Sequence, residues 1–287
     1  MCVVHLVNTV MKRLFAFGCS LTYYSWPTWA DLISQEFDEY YNFGVMGCGN
    51  HFIQFTVFEA DALYGLNKDD TVLIMTSHPF RNDTFVKDNH NFLRWQSRGY
   101  VYQPCNEDIY TNHWHKHFWS SEQGYMYSWL ALKSVTHFLT SKGVKFKIVP
   151  GFSWSHNGSP TECSDEQFIS PYLAQIEHYL HAKTPMYSWA KDNYDTSEFL
   201  VFDNITDDHP TVKMHGEYVK NFLPEFYTEK VADSINFLHN QVSVESHEKN
   251  WLNPNFIKIR GAKTGSTANW GYMQSSRPDI TTNFDHL

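Results

Sequence analysis

The chain has 287 residues, 42% of them apolar, enough for one large domain with a sizeable core. No apolar run approaches the roughly 18 residues a membrane-spanning helix needs, and a formal net charge of −9 argues against binding nucleic acid or an anionic membrane, both of which rest on neutralising phosphate. Five cysteines, an odd number with no C-x-x-C pair, give neither a disulfide framework nor a zinc ribbon.

Residues 1–11, "MCVVHLVNTVM", have no basic region and only a short, interrupted apolar stretch. They read as a leader rather than a classical secretion signal, with Met11 as an alternative start. The expected location is the cytoplasm or an assembled particle. The first strand is "RLFAFG" at 13–18, which ends at Gly18-Cys19-Ser20. A helical pattern follows through Trp26, Trp29, Leu32 and Ile33, then a strand around "YYNFG" and the helix "HFIQFTVFEADALYGL". "TVLIMTS" at 71–77 is the next strand. The stretch 80–122 is polar, aromatic and poorly periodic, as an insertion over a site would be. "YSWLALKSVTHFLTSKG" is an amphipathic helix stopped by Gly143, and "VKFKIVP" at 144–150 and "EFLVFD" at 198–203 are the remaining strands. Residues 240–287 lack sustained periodicity and read as an irregular extension, packed on the domain or tied to a protein partner.

Strands alternating with helices predict an α/β domain over 12–239: a three-layer α/β/α sandwich around a mostly parallel central sheet. In such sheets the site lies beyond the carboxyl ends of the strands. There the sequence places Ser20, the glycine-rich turn "NFGVMGCGN", the polar group Ser77-His78, and Asp207-Asp208-His209. Alone, Ser20 reads as a helix cap, Gly47 as a tight turn and His209 as a loop histidine. Together they supply a nucleophile, oxyanion donors, a base and an orienter for that base, the inventory of acyl transfer. Cys19 and Cys48, each after a glycine, are expected near each other as buried thiols.

"FGCSLT", "NFGVMGCGN" and "DDHPT" resemble three sequence blocks of the SGNH/GDSL hydrolase family, over roughly residues 12–227. The resemblance implies a flavodoxin-like three-layer fold, ester hydrolysis, and no metal or cofactor. It makes Ser20 the nucleophile and first oxyanion donor through its own N–H, Gly47 the second donor, and His209 the general base. Cys19 stands where the family usually has aspartate. The family's Gly-x-Asn-Asp block is replaced by "TSHPFRND", so His78 lies nearest the third donor's place, with Asn82 the alternative.

The usual Asp-x-x-His spacing would fall on Thr206. Since residues i and i+2 of an extended loop share a side, Asp207 is expected to orient His209 and Asp208 to point away. Ser153 beside His156 is a weaker rival nucleophile without a nearby carboxylate. The three imidazoles of "HWHKH" (His113, His115, His117) read as part of a capping loop before a metal site. "GAKTGST" has the wrong order for a phosphate loop. The expected activity is removal of small acyl groups, acetyl above all, from an O-acylated carbohydrate. The alternative is a catalytically silent module of the same fold in a larger assembly.

Overall fold

A computed structural model describes residues 11–87, 93–98, 117, 120–154 and 166–260. The strands among them are β1 (Arg13–Gly18), β2 (Glu39–Gly44), β3 (Thr71–Thr76), β4 (Asn82–Lys87), β5 (Leu93–Arg98), β6 (Lys145–Pro150), β7 (Val201–Phe202) and β8 (Ile205–Thr206). The helices are α1 (Trp29–Ile33), α2 (Asn50–Tyr64), α3 (Ser121–Ser141), α4 (Glu166–Tyr179), α5 (Met186–Asn193), α6 (Val212–Phe222), α7 (Glu229–Asn240), α8 (His247–Trp251) and α9 (Pro254–Arg260).

The central sheet is parallel and four-stranded, in the order β2-β1-β3-β6. Leu14, Phe15, Ala16 and Phe17 of β1 are all 0% exposed, although successive side chains of a strand face opposite ways. Both faces of the sheet are therefore covered, which is why its strands read as continuous apolar runs rather than alternating ones. α2 packs on α3 and α3 on α4, while α1 packs on α6 and α6 on α7. The α/β class and parallel sheet are those the alternation predicts. In register, Gly18 lies beside Gly44, and Phe17 beside Ile74, so the carboxyl ends of β1, β2 and β3 finish close to one level.

Three expectations need correction. The run "EFLVFD" does not add a fifth parallel strand: β7 turns straight back onto β8 as an antiparallel pair. Its turn residues, Asp203 and Asn204, have φ of 50° and 64°, the backbone of a two-residue hairpin turn of right-handed twist. Residues 240–260 are not irregular, since α8 and α9 fall there; both are too short to show a period in sequence. Nor does Ser20 sit at a helix N-terminus. α1 begins only at Trp29, behind Pro27 and the cap Thr28, whose N–H donates to Asp31 at 3.0 Å.

β4 and β5 pair as an antiparallel hairpin within the 80–122 stretch. The rest of that stretch is mostly outside the described residues, as are leader residues 1–10, His113, His115, His156 and the tail 261–287. His117 is described and exposed. Among the described residues no helix is long and apolar enough to cross a membrane.

Candidate active site

The segment after β1 is shaped by close approach. A Cβ on Gly18 would lie 2.1 Å from Thr22 Oγ1 and 2.8 Å from the Met75 carbonyl oxygen, so only glycine fits between β1 and β3 there. The chain then makes one tight turn, with Thr22 and Tyr23 N–H both donating to the Cys19 carbonyl at 2.9 and 3.1 Å. Ser20 rides on that turn, 6% exposed.

His209 arrives from the loop between β8 and α6. The Trp26 indole N–H donates to the Pro210 carbonyl at 3.0 Å, tying this loop to the Ser20 segment. His209 Nε2 lies 3.0 Å from Ser20 Oγ, and its Nδ1 lies 2.7 Å from Asp207 Oδ1. The same oxygen accepts the His209 backbone N–H at 2.9 Å, which closes a small ring and fixes the carboxylate against its own loop. The ionised carboxylate only accepts, so the imidazole proton sits on Nδ1 and Nε2 is left to accept from the serine hydroxyl. Burial pushes the Asp207 carboxyl up, but hydrogen bonds from His209 and Tyr24 outweigh it and hold the group below its ordinary value. Asp208 instead points away, pairing with Lys191 and lying 3.5 Å from the Tyr187 hydroxyl.

Two contacts to Asp207 have no counterpart in the sequence motifs. The Tyr24 hydroxyl donates to Oδ2 at 2.6 Å, and burial together with Asp207 raises the pKa of that phenol. His247 of α8 brings Nε2 to 3.4 Å of the same oxygen. Neither residue carries a local signal: they lie far from Asp207 in the chain, and tertiary packing alone joins them.

The neighbouring strand ends are stitched together beside Ser20. Met46 and Gly47 form a turn closed by Cys48 N–H donating to the Val45 carbonyl at 3.2 Å; Gly47 takes φ 76°, which requires glycine. Val45 N–H and Cys48 Sγ both donate to the Gly18 carbonyl, at 3.0 and 3.3 Å, so the Gly47 turn is clamped to the segment bearing Ser20. Cys19 and Cys48 are free and buried. Burial, then nearby Asp83 and Cys19, pushes the Cys48 thiol up.

At the end of β3, Ser77 Oγ donates to the Cys48 carbonyl at 2.5 Å. His78 Nδ1 accepts the Phe80 N–H at 3.2 Å, which leaves its proton on Nε2. Burial, with Arg81 adding, pushes the His78 pKa down to about 4. Asn82 opens β4 and lines a narrow crevice with Asn50, His51, Tyr127 and Ser128. Asp83 serves the fold instead. It accepts Gly49 and Phe52 N–H at 2.7 and 2.8 Å, capping α2 where the N-cap residue, Gly49, has no side chain to do so. Among the described residues no cluster of side chains is arranged to hold a metal.

No protein-family model matches the chain, and no curated protein matches it. Among solved structures it is similar to a member of the lipolytic protein G-D-S-L family from Veillonella parvula, at 12% identity and TM-score 0.32, covering 77% of this chain and 97% of that one. It is also similar to a protein from Bacteroides fragilis named as an acylhydrolase, at 13% identity and TM-score 0.33, covering 78% and 88% of the two chains. At these values the likeness carries no weight for the chemistry, which rests on the side chains above.

Proposed function

We propose that the chain is a serine ester hydrolase of the SGNH/GDSL kind. The observation that carries this reading is the unbroken run Ser20 Oγ, His209, Asp207, with links of 3.0 and 2.7 Å. A serine hydroxyl is a poor nucleophile until an imidazole removes its proton. His209 Nε2 takes the Ser20 proton as Oγ attacks the ester carbonyl, then passes it to the departing alcohol; Asp207 holds the ring and stabilises the imidazolium. Water next attacks the acyl-enzyme by the same proton route. The oxyanion is assigned to the N–H groups of Ser20 and Gly47, with His78 as a third donor. A neutral His78 with its proton on Nε2 suits that role, and Asn82 is the alternative.

The substrate we assign is a small acyl ester on a carbohydrate, acetyl above all. Phe152 and Tyr187, half-buried rings with centroids 5.3 Å apart, bring aromatic surface to the segment after β6, with Arg81 over the Phe152 ring at 5.0 Å, and the polar, aromatic composition of residues 80–122 supports the same reading. The competing reading is a silent module of the same fold. It draws on the end of β3, where the buried Ser77, rather than a carboxamide, follows the strand. A fluorophosphonate probe separates the two. Labelling at Ser20, lost in Ser20→Ala along with short-chain aryl ester turnover, supports the hydrolase. An unlabelled wild-type chain favours the silent module, and an adduct on Ser153 removes Ser20 from the role. Turnover that rises from acetyl to octanoyl esters would count against the small-acyl assignment.

A further inference from the structure

A carboxylate has about four acceptor sites, two on each oxygen. On Asp207, Oδ1 accepts from His209 N and Nδ1 at 2.9 and 2.7 Å. Oδ2 accepts from the Tyr24 hydroxyl at 2.6 Å, and the remaining direction is faced by His247 Nε2 at 3.4 Å. His247 is itself held. Its Nδ1 lies 2.9 Å from Ser25 Oγ, and its ring stacks on Phe202 at 4.1 Å between centroids and on Trp26 at 5.9 Å. Farther along, the buried Arg260 donates to the Tyr24 carbonyl at 2.6 Å, approaches Asp31 at 3.7 Å and lies over the rings of Tyr23 and Trp251. α8 and α9 are thereby fastened to the loop that carries Tyr24 and Ser25.

We propose that His247 is a positioning residue for the Ser20–His209–Asp207 arrangement, so that the C-terminal segment is part of the catalytic unit. With Ser25 O–H donating to Nδ1, the imidazole proton is on Nε2, which stands 3.4 Å from Asp207 Oδ2, a polar approach longer than a formed hydrogen bond. Tyr24 bonded to Oδ2 and His247 standing against the same oxygen together oppose rotation of the carboxylate, so that Oδ1 stays on His209 throughout the proton transfers. This rests on the triad reading above.

Two substitutions separate donor from packing. His247→Phe keeps a flat ring against Phe202 and Trp26 but has no donor; His247→Gln gives up the ring and restores an amide N–H of similar reach. With a short aryl acetate, His247→Phe is expected to lower kcat by up to about tenfold, the rate equivalent of one net polar contact, with KM and Tm unchanged, and His247→Gln to recover most of the loss. A second readout needs no turnover: the low-field proton resonance of His209 Nδ1–H should move in His247→Phe and return in His247→Gln. Wild-type kcat and an unmoved resonance in His247→Phe would overturn the proposal, as would equal losses in both variants. A chain whose resonance responds in this way but which hydrolyses no ester would instead overturn the hydrolase reading and leave the positioning role standing.

Discussion

The phenol ring of Tyr24 lies over the imidazole of His209, with centroids 3.8 Å apart and planes 17° apart, while its hydroxyl reaches past to Asp207. One side chain thus touches both members of the base pair. The face of a phenol favours a cation above it, so in the proposed mechanism an imidazolium at His209 would be stabilised where it forms. Tyr24→Phe keeps the ring and loses the donor. Turnover is expected to fall about fivefold to tenfold, the rate equivalent of the net worth of one hydrogen bond. The carboxyl of Asp207 should also titrate at higher pH, because it loses one of the bonds that hold its pKa down; a carbon-13 NMR titration of that carboxyl reports it. An unmoved titration in Tyr24→Phe would show that the hydroxyl does not act on the carboxylate.

The two adjacent carboxylates should differ sharply. Asp207→Asn disturbs the tautomer of His209 and is expected to lower kcat by about 10³ to 10⁴. Asp208→Asn removes only a pairing with Lys191 near the surface, where ion pairs contribute little, and should leave turnover within about twofold. Measuring both variants against one aryl ester decides the assignment, and the reverse ranking would transfer the role to Asp208.

Gly18→Ala should be far more damaging than its size suggests. Its new methyl group meets Thr22 Oγ1 at 2.1 Å and the Met75 carbonyl at 2.8 Å, and the second of these is backbone. Overpacking of this kind costs about 1–3 kcal/mol. Since the Gly18 carbonyl also anchors the Gly47 turn, the strain should reach the turn we assign to the oxyanion. A fall in Tm together with loss of fluorophosphonate labelling is the expected result; thermal melts and labelling assays report it.

Asp83 predicts a pH dependence of stability whose sign can be worked out. Burial raises its pKa from 3.8 to about 6, against the opposing pull of the Gly49 and Phe52 N–H groups and Arg81. Between those values the folded chain holds a proton that the unfolded chain has released. Stability from this group is therefore full below about pH 4 and declines as pH rises through 6. Asp83→Asn should flatten that decline in urea melts taken from pH 4 to 7. It should also lower stability by about 1–2 kcal/mol, since a carboxamide oxygen replaces only one of two acceptors at the start of α2. A decline of equal slope in the variant would place its origin elsewhere.

The central strands were legible because burial on both faces makes a strand a plain apolar run, as Leu14–Phe17 and Val72–Met75 are. The side shared by Asp207 and His209 was legible too, since alternation along an extended chain is a local property. "EFLVFD" misled for a physical reason: an apolar run announces burial but not its partner, and the positive φ of Asp203 and Asn204 turned the chain back. "ND" at 82–83 matched the letters of an oxyanion block, yet capping α2 claims Asp83. Tyr24 and His247 were invisible because each meets Asp207 only through tertiary packing, and α8 is a helix of 5 residues with no period to read.

Ser20 and His209 stand 189 positions apart, and Ser25 and His247 stand 222 apart. Contacts of such separation form late, because long loops must close before they are rewarded. If the probe captures Ser20 as proposed, its labelling becomes a clock for refolding. Secondary structure and burial of the β1–β3 core should then recover before labelling does, and the lag between them would time the docking of the segment that carries His209.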